Sequence, residues 1–170
     1  MSDVGVEAAA VIAGSFLSGA IMSVYMLTIP ALFESTSNPG QLVKHWTRIY
    51  LNGHYKGPVI CLSTTALYGL ATVSKYAAGE NWKVFATAGA LTTGMIPFTV
   101  ALIVPTNNTL FRLEGQAKKD TGGSAGASGV TWAEAEGLVR KWNRLNAIRS
   151  LFPLSGAVLG LMAILKVVSF

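Results

Sequence analysis

The chain has 170 residues, 51% of them hydrophobic and only 12% charged, with a formal net charge of +5 and a mean hydropathy of +0.47. A soluble domain carries about twice that share of charged residues, so the composition excludes an ordinary soluble enzyme and points to a chain that faces lipid. No recognition motif accompanies the basic residues, so they do not mark a nucleic-acid binder. No glycine-rich phosphate loop follows a predicted strand, which excludes a dinucleotide-binding domain.

A bilayer is spanned by roughly 20 apolar residues in a helix, and four stretches qualify. The first runs from about Ala8 to Phe33, without charge after Glu7. No Lys or Arg precedes Lys44, so the basic start of a signal peptide is missing and this run is expected to stay as a helix. Gly14 and Ser18 are spaced for close helix packing, and Glu7 is expected at the membrane interface. The polar stretch "NPGQLVKHWTRIYLNGHYKGP", Asn38 to Pro58, follows. Its Asn-Pro-Gly start breaks the chain, and Trp46, Tyr50 and His54 then share one face of a short helix. They serve either as an interfacial aromatic anchor or as a pocket wall.

The second span is Pro58 to Ala78, with Lys75 near its end and the single cysteine, Cys61, inside it. A buried, inert thiol is expected there, and neither an intramolecular disulfide nor a thiolate zinc site can form. The third span is Val84 to Val104, with Pro97 expected to kink it. Directly after it comes "PTNNTLF", Pro105 to Phe111. Asn107 and Asn108 either cap the helix end or line a pocket at the membrane edge. The tract "DTGGSAGASG", Asp120 to Gly129, is expected to be flexible. Thr131 followed by Glu134 forms a capping-box pattern that opens a helix carrying Trp142, Asn146 and Arg149 on one face. This helix is expected to run into the fourth span, Leu151 to Val168, with a bend near Pro153. There is no internal repeat, and residues 1–170 form one domain. The predicted fold is all-α, a four-transmembrane-helix bundle with an amphipathic helix and a long loop on its cytosolic side.

Lys44, Arg48 and Lys56, with Arg112, Lys118, Lys119, Arg140, Lys141, Arg144 and Arg149, place ten basic residues in the two longer connections, against three elsewhere. That asymmetry puts both connections on the cytosolic side and the termini opposite. His45 and His54, "PTNN" and "WNRLNAIR" then lie at one depth. Asn supplies donors and acceptors and Arg a rigid fork of donors, a set suited to a flat, largely apolar molecule with polar edges. In the plainer alternative Asn107 caps a helix and Arg149 snorkels to headgroups. Two histidines fall short of the three protein ligands of a usual catalytic metal, which disfavours a metal, whereas one imidazole suits a general base.

The Pro-Thr-Asn-Asn turn after the third span and the Trp-x-x-x-Asn-x-x-Arg helix before the fourth resemble the DUF1772 family, whose fungal members include the anthrone oxygenases of aromatic polyketide pathways. The resemblance covers nearly the whole chain. It implies oxidation of a polyketide anthrone to the anthraquinone by O₂ in an internal membrane, with O₂ as co-substrate and no cofactor. It further implies His54 or His45 as base, with Arg149, Asn108, Asn107 and Asn146 as donors to the oxyanion and phenols. Trp46, Tyr50 and Trp142 would flank the rings. Other polyketide-pathway enzymes and a second copy of the chain are compatible partners. The competing reading is a non-catalytic scaffold, or a carrier for an apolar metabolite.

Overall fold

The computed structural model describes residues 3–120 and 129–168. Eight α-helices appear among them: α1 (Asp3–Ser23), α2 (Ile29–Ser35), α3 (Pro39–Gly53), α4 (Lys56–Ala77), α5 (Lys83–Thr93), α6 (Met95–Phe98), α7 (Val104–Asp120) and α8 (Trp132–Ile164). One π-helical segment, Val24–Thr28, joins α1 to α2, and another, Thr99–Ile103, joins α6 to α7. The result is four helical runs, Gly5–Ser35, Pro39–Ala77, Lys83–Lys119 and Trp132–Ile164, each long and apolar enough to cross a membrane. The expected all-α four-helix bundle is what forms.

Each run is longer than the apolar stretch that marks it. Hydropathy falls where a helix leaves the apolar layer, but the backbone hydrogen bonds continue wherever another helix supplies a packing partner. The clearest case is the third run. The sequence reading ends it at Val104, with Asn107 and Asn108 either capping the helix end or lining a pocket, yet α7 continues for four turns past the apolar stretch. Asn107 is therefore an interior helical residue and the "PTNN" turn does not exist. The break in this run falls at Gly94, between α5 and α6, three residues before Pro97. The fourth run ends sooner than expected, at Ile164, after which Lys166 turns with a φ of 56°. The flexible tract Asp120–Gly129 lies, apart from its two end residues, outside the described residues.

Three buried clusters stack along the bundle. Ala10, Tyr68, Ala71, Phe85 and Ala88 fill one end, Leu17, Ile21, Cys61 and Met95 the middle. The largest cluster, around Trp46, Leu110, Val139 and Trp142, fills the other end, where α3, α7 and the first half of α8 pack together. Cys61 is fully buried, as expected. Large apolar side chains such as Ile12, Phe16, Leu70, Val100 and Val158 point outward; in water such a band would be a liability, whereas lipid accepts it.

Small residues set how closely the spans approach. A Cβ on Gly14 would meet Ala157 Cβ and Pro153 O at 3.4 Å, and the Ser18 hydroxyl donates to Ser150 O at 2.9 Å. The Gly14/Ser18 spacing thus docks α1 on α8. Gly156 is tighter still, with Ala88 O only 2.6 Å from where its Cβ would be. Tyr68 Oη completes this end by donating to Gly156 O at 3.0 Å. Glu7, expected at the interface, is 3% exposed within the bundle and ion-paired with Lys75 at 2.9 Å. A lone carboxylate would not bury there; the ammonium at the end of α4 allows it.

Candidate active site

Local sequence builds α3. Asn38 is extended and its side chain accepts from Gln41 N, with Pro39 at the first helical position, the two residue types best suited to start a helix. Leu42, Val43, Trp46 and Thr47 then form the buried face. One and two turns on, Tyr50 and His54 continue from Trp46. The Trp46 and Tyr50 rings stack at 5.6 Å and the Tyr50 and His54 rings at 5.1 Å, nearly parallel at 9°. Phe111 of α7 sets its edge against both Trp46 and Tyr50, at 5.2 and 5.1 Å. Trp142 of α8 meets Trp46 at right angles, 5.7 Å away. Trp46 is completely buried among these rings.

A chain of side-chain hydrogen bonds crosses this aromatic cluster. Trp142 Nε1 donates to Asn107 Oδ1 at 2.8 Å. Asn146 Nδ2 donates to Trp142 O at 2.9 Å, and Arg149 donates from its guanidinium to Asn146 Oδ1 at 2.7 Å. Asn107 and Asn146 are 4% and 1% exposed, so these bonds are sheltered from water and correspondingly hard to replace. Arg149 has no carboxylate partner among the described residues, and its Nε is buried without any acceptor. Tyr50 and Cys61 lie within its electrostatic range. A cation held by a buried amide, with donors left over, is equipped to receive an anion or an electron-rich oxygen.

The geometry separates the two histidines. They are nine residues apart on one helix, hence on opposite sides at 100° per residue, and only His54 joins the aromatic ladder. His54 Nδ1 lies 2.9 Å from Leu51 O. A carbonyl can only accept, so Nδ1 carries the hydrogen and Nε2 of the neutral ring is left as the free acceptor. His45 is half-buried beside Trp46 in sequence but faces away from the ladder.

Asn108 is likewise placed apart. One residue round the helix from Asn107, it is exposed and outside the hydrogen-bonded chain. The structure thus brings together Trp46, Tyr50, His54, Asn107, Trp142, Asn146 and Arg149, and leaves His45 and Asn108 outside.

Three further residues on the same helices, Phe111, Asn143 and Thr47, were not singled out in the sequence. Phe111 stands four residues after Asn107, on the same helical face, which is the signal that could have found it. Asn143 is buried and donates from Nδ2 to Tyr25 O at 3.2 Å, while its Oδ1 has no partner. The Thr47 hydroxyl and the Trp46 Nε1–H are also buried without partners. No three His, Cys, Asp or Glu side chains converge among the described residues.

The comparisons with known proteins agree on one family. The profile described as "Anthrone oxygenase" matches residues 46–159, which spans α3 to α8 and every residue of the assembled site. The chain is 47% identical to "Monooxygenase hypC" of Dothistroma septosporum over 99% of its own length and 88% of that protein. It is 45% identical to "Noranthrone monooxygenase" of Aspergillus flavus, over 98% and 76% of the two chains. It is 43% identical to "Anthrone oxygenase AgnL2" of Paecilomyces divaricatus, over 94% and 95%. No solved structure shows significant similarity to it.

Proposed function

This chain belongs to the anthrone oxygenase family, and we propose from that premise that it oxidises a polyketide anthrone to the anthraquinone with O₂, releasing water. The observation that supports a site for this chemistry is Arg149, a cation with no carboxylate partner, joined through Asn146 to the buried Trp142–Asn107 pair and within electrostatic range of Tyr50.

An anthrone is a planar tricycle with a ketone on one side of its central ring and a methylene on the other. His54 Nε2 takes one methylene proton, and the electron pair delocalises onto the ketone oxygen. Arg149 and its neighbouring amides stabilise the resulting enolate, and a fixed cation near that oxygen lowers the methylene's pKa, the direction the reaction needs. The enolate passes one electron to O₂, and the two radicals combine at the former methylene carbon as a peroxide, which takes up a proton. The base then removes the second proton from that carbon as the O–O bond breaks. The carbonyl forms and hydroxide, once protonated, leaves as water. Anthrone and O₂ thus balance quinone and water with no added reductant, so the proposal includes no cofactor. Trp46, Tyr50 and Trp142 flank the rings in this reading.

The four long apolar helices support membrane residence, which suits a poorly soluble substrate. In our reading the membrane is an internal one and the α3 and α7–α8 end of the bundle faces the cytosol, on the strength of its ten basic residues. A second copy and other pathway enzymes remain candidate partners. The test is oxygen uptake by purified protein given emodin anthrone, with and without a strong chelator. Uptake matched by quinone, insensitive to chelator and lost in Arg149→Gln, is expected. A chelator-sensitive reaction overturns the cofactor-free mechanism, and uptake no faster than the spontaneous rate overturns the assignment.

A further inference from the structure

Between its capped start and its apolar half, α8 presents a run of positive charge on its outer face. Gly137, Arg140, Lys141, Arg144 and Leu145 line a surface hollow of about 380 Å³. Gly137 leaves it open, because nothing lies within 4 Å of where its Cβ would be. Arg140 is held in place from two sides: its Nε donates to Glu136 at 2.8 Å and its guanidinium sits over the Phe33 ring, 4.5 Å from the centroid. Lys141 and Arg144 have no carboxylate partner among the described residues.

The same helical face changes character further along. Ile148 and Leu151, four and seven residues after Arg144, are 47% and 48% exposed and apolar. At 1.5 Å per residue, Arg144 stands roughly 6 Å above Ile148 and 10 Å above Leu151. The headgroup zone on each side of a bilayer is about 5–8 Å deep, so the hollow falls at headgroup depth with its apolar rim turned towards the acyl chains.

We propose that this hollow binds a phosphate group, carried on a lipid headgroup or free in solution. Lys141 and Arg144 supply the charge-assisted donors, Arg140 a fixed cation beside them, and Gly137 the room. The depth of the site and the apolar continuation through Leu145 and Ile148 favour the lipid source. The site is separate from the Asn107–Arg149 cluster and does not rest on the oxygenase reading.

Thermal unfolding of the purified full chain in detergent tests it, titrated with short-chain phosphatidic acid, the matching phosphatidylcholine and inorganic phosphate. Phosphatidic acid is expected to raise Tm saturably, with phosphatidylcholine leaving it unchanged. An equal effect of inorganic phosphate identifies free phosphate as the source, and no such effect identifies the lipid. The midpoint is expected to weaken at least about tenfold in Lys141→Ala/Arg144→Ala. It should weaken equally in Gly137→Leu, which fills the hollow while keeping every charge. Arg48→Ala/Arg112→Ala, at exposed cations on other helices, is expected to leave it unchanged. No shift with either probe overturns the site, as does an undiminished shift in Gly137→Leu or a loss as large in the control variant.

Discussion

Trp142 Nε1 donates to Asn107 Oδ1 across 2.8 Å and 35 residues of sequence, tying α7 to α8 through the interior of the bundle. Removing the acceptor leaves an indole N–H buried and unpaired, at a cost of about 1–3 kcal/mol. Asn107→Ala is therefore expected to lower Tm by several degrees, at about 2–4 °C per kcal/mol for a chain of this size. It should also slow turnover, because Asn146 hangs on the carbonyl of the same Trp142. An unchanged Tm in detergent would mean that the bond holds nothing together.

Arg149 is expected to act on the rate, through the developing oxygen charge. Losing one preorganised donor to an oxyanion costs about 100- to 1,000-fold in kcat, and Arg149→Gln should fall in that range. Arg149→Lys keeps the charge but not the planar fork, so it should lie between wild type and the Gln variant. Quinone formation at saturating anthrone measures both. Rates within about twofold of wild type in the Gln variant would remove Arg149 from the mechanism.

The two histidines should respond differently, since only His54 stacks on Tyr50. His54→Gln is expected to slow quinone formation by about 100- to 10,000-fold, the usual contribution of a positioned base. His45→Gln, on the opposite side of α3, should stay within about twofold of wild type on the same estimate. The reverse pattern would transfer the base to His45.

Gly156 should be the least replaceable small residue of the spans. A methyl group there meets Ala88 O at 2.6 Å, and overpacking of this kind costs about 1–3 kcal/mol or more because α5 and α8 must separate. Gly156→Ala should therefore unfold at lower temperature, while Gly69→Ala, with nothing within 4 Å, should not. Equal Tm values for the two variants would show that the helices part without strain.

Much of the bundle was legible because lipid and packing leave different marks. Apolar length gave the four runs, the Thr131–Glu134 pattern gave the start of α8, where Thr131 Oγ1 accepts from Glu134 N, and the Gly14/Ser18 spacing gave a packing seam. The end of the third run was misjudged for a definite reason. Pro105 and two asparagines look like a helix end locally, but Thr106, Asn107, Leu110 and Leu113 form one buried face that α3 and α8 cover. That covering is not local information. The face shared by Trp142, Asn146 and Arg149 could be read from spacing alone, whereas the choice between Asn107 and Asn108 could not. Adjacent residues differ by 100° of rotation, and only the position of the neighbouring helix decides which of them turns inward. His54 was separable from His45 only once α3 had a fixed orientation.

The π turns at Val24–Thr28 and Thr99–Ile103 act as gear changes on their helices. Each takes in one residue more than an α-helix of equal rise, so the side chains beyond it are offset by about 100° from the phase set before it. Ile29 and Leu32 reach the core in that shifted phase, and so do Thr106 and Asn107 after the second turn. Tyr25, inside the first, offers its carbonyl to Asn143. Two halves of one span are thereby cut to different templates: the half in the apolar layer is phased for lipid and the half beyond it for the site. Either half can be re-tuned without turning the other.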